Sequence, residues 1–183
     1  IDIPDHKSPI FKNAVAYALN DTSHVNQISD NIDLVLKSNN LGNLDANTIY
    51  AYGTIGLGVN VTDRQDGAIN NNGIYDLQLE VNNKKVFQYT VNSFSFAESR
   101  YINNFFDFER YDQKKQRIIK CFKEPNTKLT ANIFFSPYRN CFSFLYCQRK
   151  FKIDSYFPIQ KANYLLKYEM EWLSLLSFSP IKN

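Results

Sequence analysis

Ile55-Gly56-Leu57-Gly58-Val59-Asn60-Val61 sets an apolar residue at every second position, with glycine or asparagine between. That is the period of a half-buried β-strand, whose side chains point alternately to two faces. Tyr75, Leu77, Leu79 and Val81 repeat the alternation, and Phe87, Tyr89 and Val91 continue it. Asn82-Asn83-Lys84 lies between these two runs and reads as a tight turn, so the pair is expected to form a hairpin. Ile10–Leu19 and Ile32–Lys37 carry the same pattern less regularly. Between the best strands, Asp63-Arg64-Gln65-Asp66-Gly67-Ala68-Ile69-Asn70-Asn71-Asn72-Gly73 is rich in residues that tolerate left-handed backbone and reads as a loop.

One helix is expected. Tyr111, Ile118, Ile119 and Phe122 share a helical face, with Lys114, Lys115 and Lys120 placed for solvent and Pro125 as the stop. The order of elements predicts a mainly β protein, an immunoglobulin-like antiparallel β-sandwich with one helix and an atypical C-terminal tail.

The chain has 183 residues, 44% hydrophobic and 21% charged. That is enough to bury one core, in one domain or one domain with an appendage. A formal net charge of +3 is too small to argue for nucleic acid. No run approaches the length of apolar sequence that spans a bilayer. The chain opens on Ile1 without methionine, which leads to the expectation of a piece of a longer protein. Composition changes near residue 131. Residues 1–130 hold 14 Lys and Arg against 15 Asp and Glu; residues 131–183 hold 7 against 3, with 13 aromatics in 53 positions. All six glycines lie from Gly42 to Gly73. The expected division is therefore a β-sandwich domain over 1–130 and an aromatic, basic tail over 131–183. Cys121, Cys141 and Cys147 are three in number, so at least one has no partner within the chain.

Catalytic chemistry is sparsely represented. Zinc hydrolysis needs three converging ligands and an open position, and the chain has only His6 and His24, in no HxH, HxxxD or HExxH arrangement. Cys121 follows a basic stretch, but a structural thiol is the plainer reading. Gly53-Thr54-Ile55-Gly56-Leu57-Gly58 superficially resembles a phosphate-binding loop; its glycines alternate within a strand, so close packing explains them better. Asp63, Asp66, Asn70 and Asn72 supply hard oxygen ligands and form the candidate calcium site, although their spacing is not that of an EF-hand. A turn whose Asx side chains bond their own backbone explains the same residues. Ser95-Phe96-Ala97-Glu98 has capping-box spacing, with Glu98 and Arg100 available as an ion pair. Asp107 and Glu109, the one conceivable acid/base pair, would share one side of a strand. The aromatic, basic tail matches no RNA-binding motif.

Several of these stretches resemble one family. They are Thr48 to Val59, Asp63 to Ala68, Asn71 to Tyr75, Phe94 to Asn103, Gln116 to Lys120 and Pro125 to Leu129. In order and spacing over about residues 5–130 they are similar to the β-rich domain that follows the catalytic domain in lysostaphin-type (murein DD-endopeptidase-like) zinc metallopeptidases of Bacteroidetes. Asp5 through Tyr17 is then the opening strand. The resemblance implies a non-catalytic accessory domain in the periplasm, cell envelope or secreted space. Its partners would be an upstream peptidase domain and peptidoglycan, with neither nucleic acid nor a membrane span. Zinc is expected in the missing catalytic domain and no cofactor in this chain, so no catalytic residue carries over. A free-standing module for cell-wall glycan or peptide, using Tyr50, Tyr52 and Tyr75 as stacking surfaces, is one alternative. An envelope interaction domain using strand addition is another. The resemblance stops near Leu129. The glycine-free tail is what an AT-rich gene gives when read out of frame, which leads to the expectation of a frameshift and an open sheet edge; one uninterrupted frame across codons 128–133 in several isolates would refute it.

Overall fold

The computed structural model describes residues 6–40, 42–81, 84–91, 93, 95–125, 133–135, 142–154 and 163–169, with side chains described through residue 135. Its elements begin with β1 (Ile10–Ala18), β2 (His24–Val25), β3 (Ile32–Leu34), β4 (Leu36–Ser38) and β5 (Leu44–Ala46). The 14-residue β6 (Ile49–Thr62) follows, then the hairpin of β7 (Asp76–Val81) and β8 (Lys84–Thr90). Helix α1 (Phe96–Ser99), a 3-10 helix (Arg100–Phe105) and α2 (Phe108–Lys114) lead to β9 (Ile118–Lys120). β10 (Ile133–Phe135), β11 (Phe142–Asp154) and β12 (Asn163–Glu169) complete the described strands.

The protein is mainly β, as the alternation predicts. The main strand order is β10-β8-β7-β12-β11-β6-β1-β3. β6 is the spine. Along one edge it pairs with β1, from Ile10 opposite Thr62 to Ala18 opposite Ile55, and then with β2. Its other edge takes β11 along Ile49–Ile55 and β9 along Gly58–Asn60. β11 runs from the β6 ladder into a second ladder with β12 and β5. β12 lies parallel to β7, while the other described pairs are antiparallel. Three strands beyond the composition change at residue 131 thus pair into this sheet.

One buried cluster draws on both halves of the strand order. Ala14 and Ala16 from β1 and Ile55, Leu57, Val59 and Val61 from β6 meet Leu77, Leu79, Phe87 and Tyr89 of the hairpin. The sheet therefore folds over a shared core in a sandwich-like arrangement. Each fully buried residue such as Leu77 or Leu79 contributes roughly 1.5–3 kcal/mol by leaving water. The opposite face of β1 and β6 holds a second, smaller cluster of Val15, Tyr17, Ile118 and Phe122, with Leu19 against it. β6 is consequently buried on both faces along Ile55–Val61, although its sequence reads as half-buried.

The helix is displaced from the expected position. It covers Phe108–Lys114 and ends at Lys115, whose φ of 55° is the left-handed C-cap conformation. Ile118-Ile119-Lys120 is a strand instead, with Ile119 in the main core and Ile118 in the second cluster. The apolar spacing fits both periods over so short a run. Pairing with β6 gives Ile118 and Ile119 buried faces that a solvent-facing helix would not. Pro125 therefore terminates no helix. The hairpin is as expected: Val81 pairs with Lys84, bracketing Asn82 and Asn83, which lie outside the described residues. Phe94, Cys141 and most of Pro125–Leu129 lie outside them too. No helix among the described residues is long and apolar enough to cross a membrane.

A second hairpin turn was not legible. Val25 and Ile28 exchange backbone hydrogen bonds of 2.9 Å, with Asn26 and Gln27 at φ 51° and 67°. This is the doubly left-handed turn that strongly favours Asn-Gly. Asn26 also locks the turn onto β6: its N–H donates to Tyr50 O (2.7 Å) and its Oδ1 accepts from Tyr50 N–H (2.9 Å). Gln27 is the misfit, since a left-handed residue with a Cβ costs roughly 1–2 kcal/mol. Gln27→Gly is expected to raise unfolding free energy by about 0.5–1 kcal/mol after the entropy cost of glycine. Urea denaturation checks it, and a destabilised variant would refute the account.

Candidate functional site

A group of polar side chains, several of them buried, links α2 to β1 and β3. Asp107 is the N-cap of α2, its Oδ1 accepting from Arg110 N–H at 3.0 Å. A short capping carboxylate satisfies a backbone donor that a helix start otherwise leaves unpaired. Its other oxygen accepts from Tyr17 Oη at 2.7 Å. The Asp107 N–H donates to Ile118 O (3.0 Å), fastening the helix start to β9. Arg110 turns inward and is 6% exposed. Its Nη1 reaches Asp33 of β3 at 2.6 Å, and its Nε stands 3.8 Å from Asp107 Oδ2. That Nε is the one buried side-chain nitrogen or oxygen without a hydrogen-bond partner among the described residues. Lys114 approaches the far oxygen of Asp33 at 3.7 Å.

Two carboxylates and two cations therefore alternate from core to surface. Asp107 is an N-cap, not a strand residue beside Glu109 as the sequence implied. Glu109 is exposed and accepts from Gln113 at 3.2 Å, so the two carboxylates form no acid/base pair. The network does what a buried, neutralised cluster does well: it fixes one register of helix on sheet. Nothing in the sequence pointed to it, because Tyr17 and Asp107 are 90 positions apart and Arg110 and Asp33 are 77.

The alternating glycines have structural partners. A Cβ at Gly56 would lie 2.5 Å from the Phe122 ring; one at Gly58 would lie 2.6 Å from Ile118 Cγ2 and 2.9 Å from the Tyr17 ring. The glycines thus form the shallow groove that accepts these side chains. The Tyr17 and Phe122 rings meet across it at 5.3 Å.

Among the described residues, contacts join Asp63 to Asn72 and Asp66 to His6, and none gathers the four candidate calcium residues at one centre. Asp63 and Asn72 face each other as a backbone bridge, Asp63 N–H to Asn72 O at 3.0 Å and Asn72 N–H to Asp63 O at 2.7 Å. Asp63 Oδ1 accepts from the next residue's N–H at 2.8 Å, a local bond to backbone of the general kind the plainer reading expects, although one residue short of an Asx turn. Asp66 turns to His6, accepting from its backbone N–H (3.1 Å) and lying 2.8 Å from its Nδ1. The side-chain bond from His6 holds the Asp66 carboxyl below the usual carboxylate range. Asn70 is exposed on the loop. Among the described residues no three or more of His, Cys, Asp and Glu are grouped to hold a metal. His24 stacks on Tyr52 at 5.0 Å.

Ser95 and Glu98 form the expected cap, Glu98 N–H donating to Ser95 Oγ at 3.3 Å. Arg100 leaves Glu98 and lies over the Tyr101 ring at 4.9 Å, bonding its hydroxyl at 3.1 Å. Cys121 is buried and free, and burial pushes its thiol pKa up. Burial also raises the Tyr17 phenol, with the Asp107 bond adding to it, and burial raises Tyr89. These folded-state pKa values lie above their unfolded ones, so the native state keeps protons that the unfolded chain releases. Stability is thus complete at neutral pH and falls as pH rises past about 8.5 for the thiol and about 10 for the phenols. Urea midpoints across that range check the direction; a constant midpoint would refute it. Comparison with protein-family models, curated proteins and solved structures finds no match to this chain.

Proposed function

We propose that this chain is a non-catalytic accessory domain of a cell-envelope peptidoglycan metalloendopeptidase, positioning or regulating a catalytic domain that holds the zinc. The supporting observation is how the stretches resembling that family are used. Gly56 and Gly58 receive aromatic and aliphatic side chains, Asp63 and Asn72 close a loop, Ser95 caps a helix, and Ile118-Ile119 joins the spine. Each of these four features serves the scaffold. A rigid platform of this kind presents a neighbouring domain without contributing reactive groups to it. The setting is the periplasm or envelope, with peptidoglycan as the shared substrate surface.

A second reading, a module that binds cell-wall glycan, is favoured by one feature. Tyr50 is 56% exposed, and Tyr52, on the same face of β6, stacks on His24. Flat amphipathic rings on one sheet face suit sugar stacking. Tyr75 is not part of this group; it precedes β7, and its carbonyl accepts from Val91 N–H at 2.8 Å.

Dye release from labelled peptidoglycan, with and without added zinc, tests the first reading when paired with cosedimentation on the same material. No release is expected. Zinc-dependent release would overturn the accessory assignment, and sedimentation abolished by Tyr50→Ala would transfer support to the binding module.

A further inference from the structure

Two dipeptides in this chain have a side-chain carbonyl followed by glycine, Asp66-Gly67 and Asn72-Gly73, and both lie in the loop between β6 and β7. Glycine has no Cβ to hinder approach of its backbone nitrogen to the preceding side chain. Asparagine in such a setting is chemically labile.

The structure separates the two. Asn72 is exposed, and its side-chain amide has no hydrogen-bond partner among the described residues. The next N–H, that of Gly73, donates no hydrogen bond among them either. Gly73 is exposed, and a Cβ built on it would meet nothing within 4 Å. Both reacting groups are therefore exposed to water, and no partner among the described residues competes for them. At Asp66 the opposite holds: the carboxylate that would have to react is bonded twice by His6. No other asparagine is followed by glycine, and several are tied down as well. Asn20 bonds Thr54, Asn26 bonds Tyr50, and Asn47 Oδ1 accepts from Val35 N–H.

We propose that Asn72-Gly73 is a site of spontaneous deamidation and isomerisation, with water as co-reactant, and that His6 spares Asp66-Gly67 in the same loop. The Gly73 amide nitrogen gives its proton to hydroxide and attacks Asn72 Cγ. The N–Cγ bond forms, the Cγ–Nδ2 bond breaks, and the amide group leaves with a proton as ammonia. Water then opens the cyclic imide at either carbonyl, giving aspartate or isoaspartate without any redox change. Either product adds a carboxylate to a loop that already holds Asp63 and Asp66. Isoaspartate also reroutes the backbone through the side-chain carbons and displaces the carbonyl that now accepts from Asp63 N–H. The bridge closing the loop is thereby weakened, and with it the hold of Asp66 on the segment containing His6.

The test is incubation of the full chain in isotopically labelled water at neutral and mildly alkaline pH, followed by peptide mapping of the segment between Arg64 and Lys84. Asn72 is expected to convert about tenfold faster than any other asparagine, a barrier difference of about 1.4 kcal/mol. Gly73→Ala, which meets open space and keeps the fold, is expected to remove that excess. The native rate is expected to stay close to that of the urea-unfolded chain. A native rate about tenfold or more below the unfolded one, or no preference for Asn72, would overturn the proposal. His6→Ala is expected to raise isomerisation at Asp66-Gly67 in mild acid and leave Asn72 unchanged; equal rates with and without His6 would overturn the sparing role.

Discussion

Asp107→Ala is expected to lower the unfolding free energy by about 3–5 kcal/mol, the cost of leaving a buried charge without its partner. Three losses coincide in this one substitution. The first turn of α2 loses its cap, worth about 1 kcal/mol. Tyr17 Oη loses the acceptor at 2.7 Å in a buried position, a further cost of about 1–3 kcal/mol. Arg110 keeps Asp33 at 2.6 Å, but that side chain is 48% exposed and faces the outer end of the guanidinium. Its buried Nε is left without the one carboxylate near it. Tyr17→Phe removes a donor and no charge, so it is expected to cost only about 1 kcal/mol. The two substitutions together should cost less than their sum, with a coupling of about 0.5–3 kcal/mol. Glu109→Ala, on the solvent side of the same helix, should stay within about 0.5 kcal/mol. Urea denaturation at neutral pH distinguishes these values. A loss below about 1 kcal/mol for Asp107→Ala, the range of a surface ion pair, would mean that the cluster is solvated and does not fix the helix.

That network marks the limit of what local pattern reveals. β1, β6 and the β7–β8 hairpin were legible because a strand's period of two is written in consecutive residues, as in Leu77, Leu79 and Val81. The glycines of β6 were legible as close-packing positions, but their partners were not, since Tyr17 precedes and Phe122 follows β6 by dozens of residues. Ile118 and Ile119 misled for a definite reason: their spacing from Tyr111 and Phe122 fits a helix face, while two adjacent β-branched residues suit a strand buried on both sides. Only the partner strand decides between them. The candidate metal loop was legible as a turn, and the turn chemistry of Asp63 is what the structure displays. Its connection to His6 was invisible, because a histidine 60 positions away carries no local signal.

Gly53→Ala should be the most damaging glycine substitution, at about 3–4 kcal/mol, from adding backbone strain to overpacking. Gly53 lies in mid-strand with φ +79°, where an L residue costs roughly 1–2 kcal/mol. The new Cβ would also lie 2.5 Å from Ser23 Oγ and 2.8 Å from Ser23 Cα. Ser23 is fully buried and cannot retreat: its Oγ accepts from Thr54 N–H at 2.7 Å and bonds Asn20. Gly42→Ala separates the two contributions, because Gly42 has the same φ of +79° and nothing within 4 Å of its Cβ. It should show the backbone cost alone, about 1–2 kcal/mol. Trimming Ser23 to glycine in the Gly53→Ala background should not restore stability. The backbone contact at Cα remains, and Thr54 N–H loses its acceptor. Equal losses for Gly42→Ala and Gly53→Ala would show that the notch yields. Unequal losses would place the constraint in the backbone of Ser23, at the point where β11 shifts register against β6 between Phe144 and Cys147.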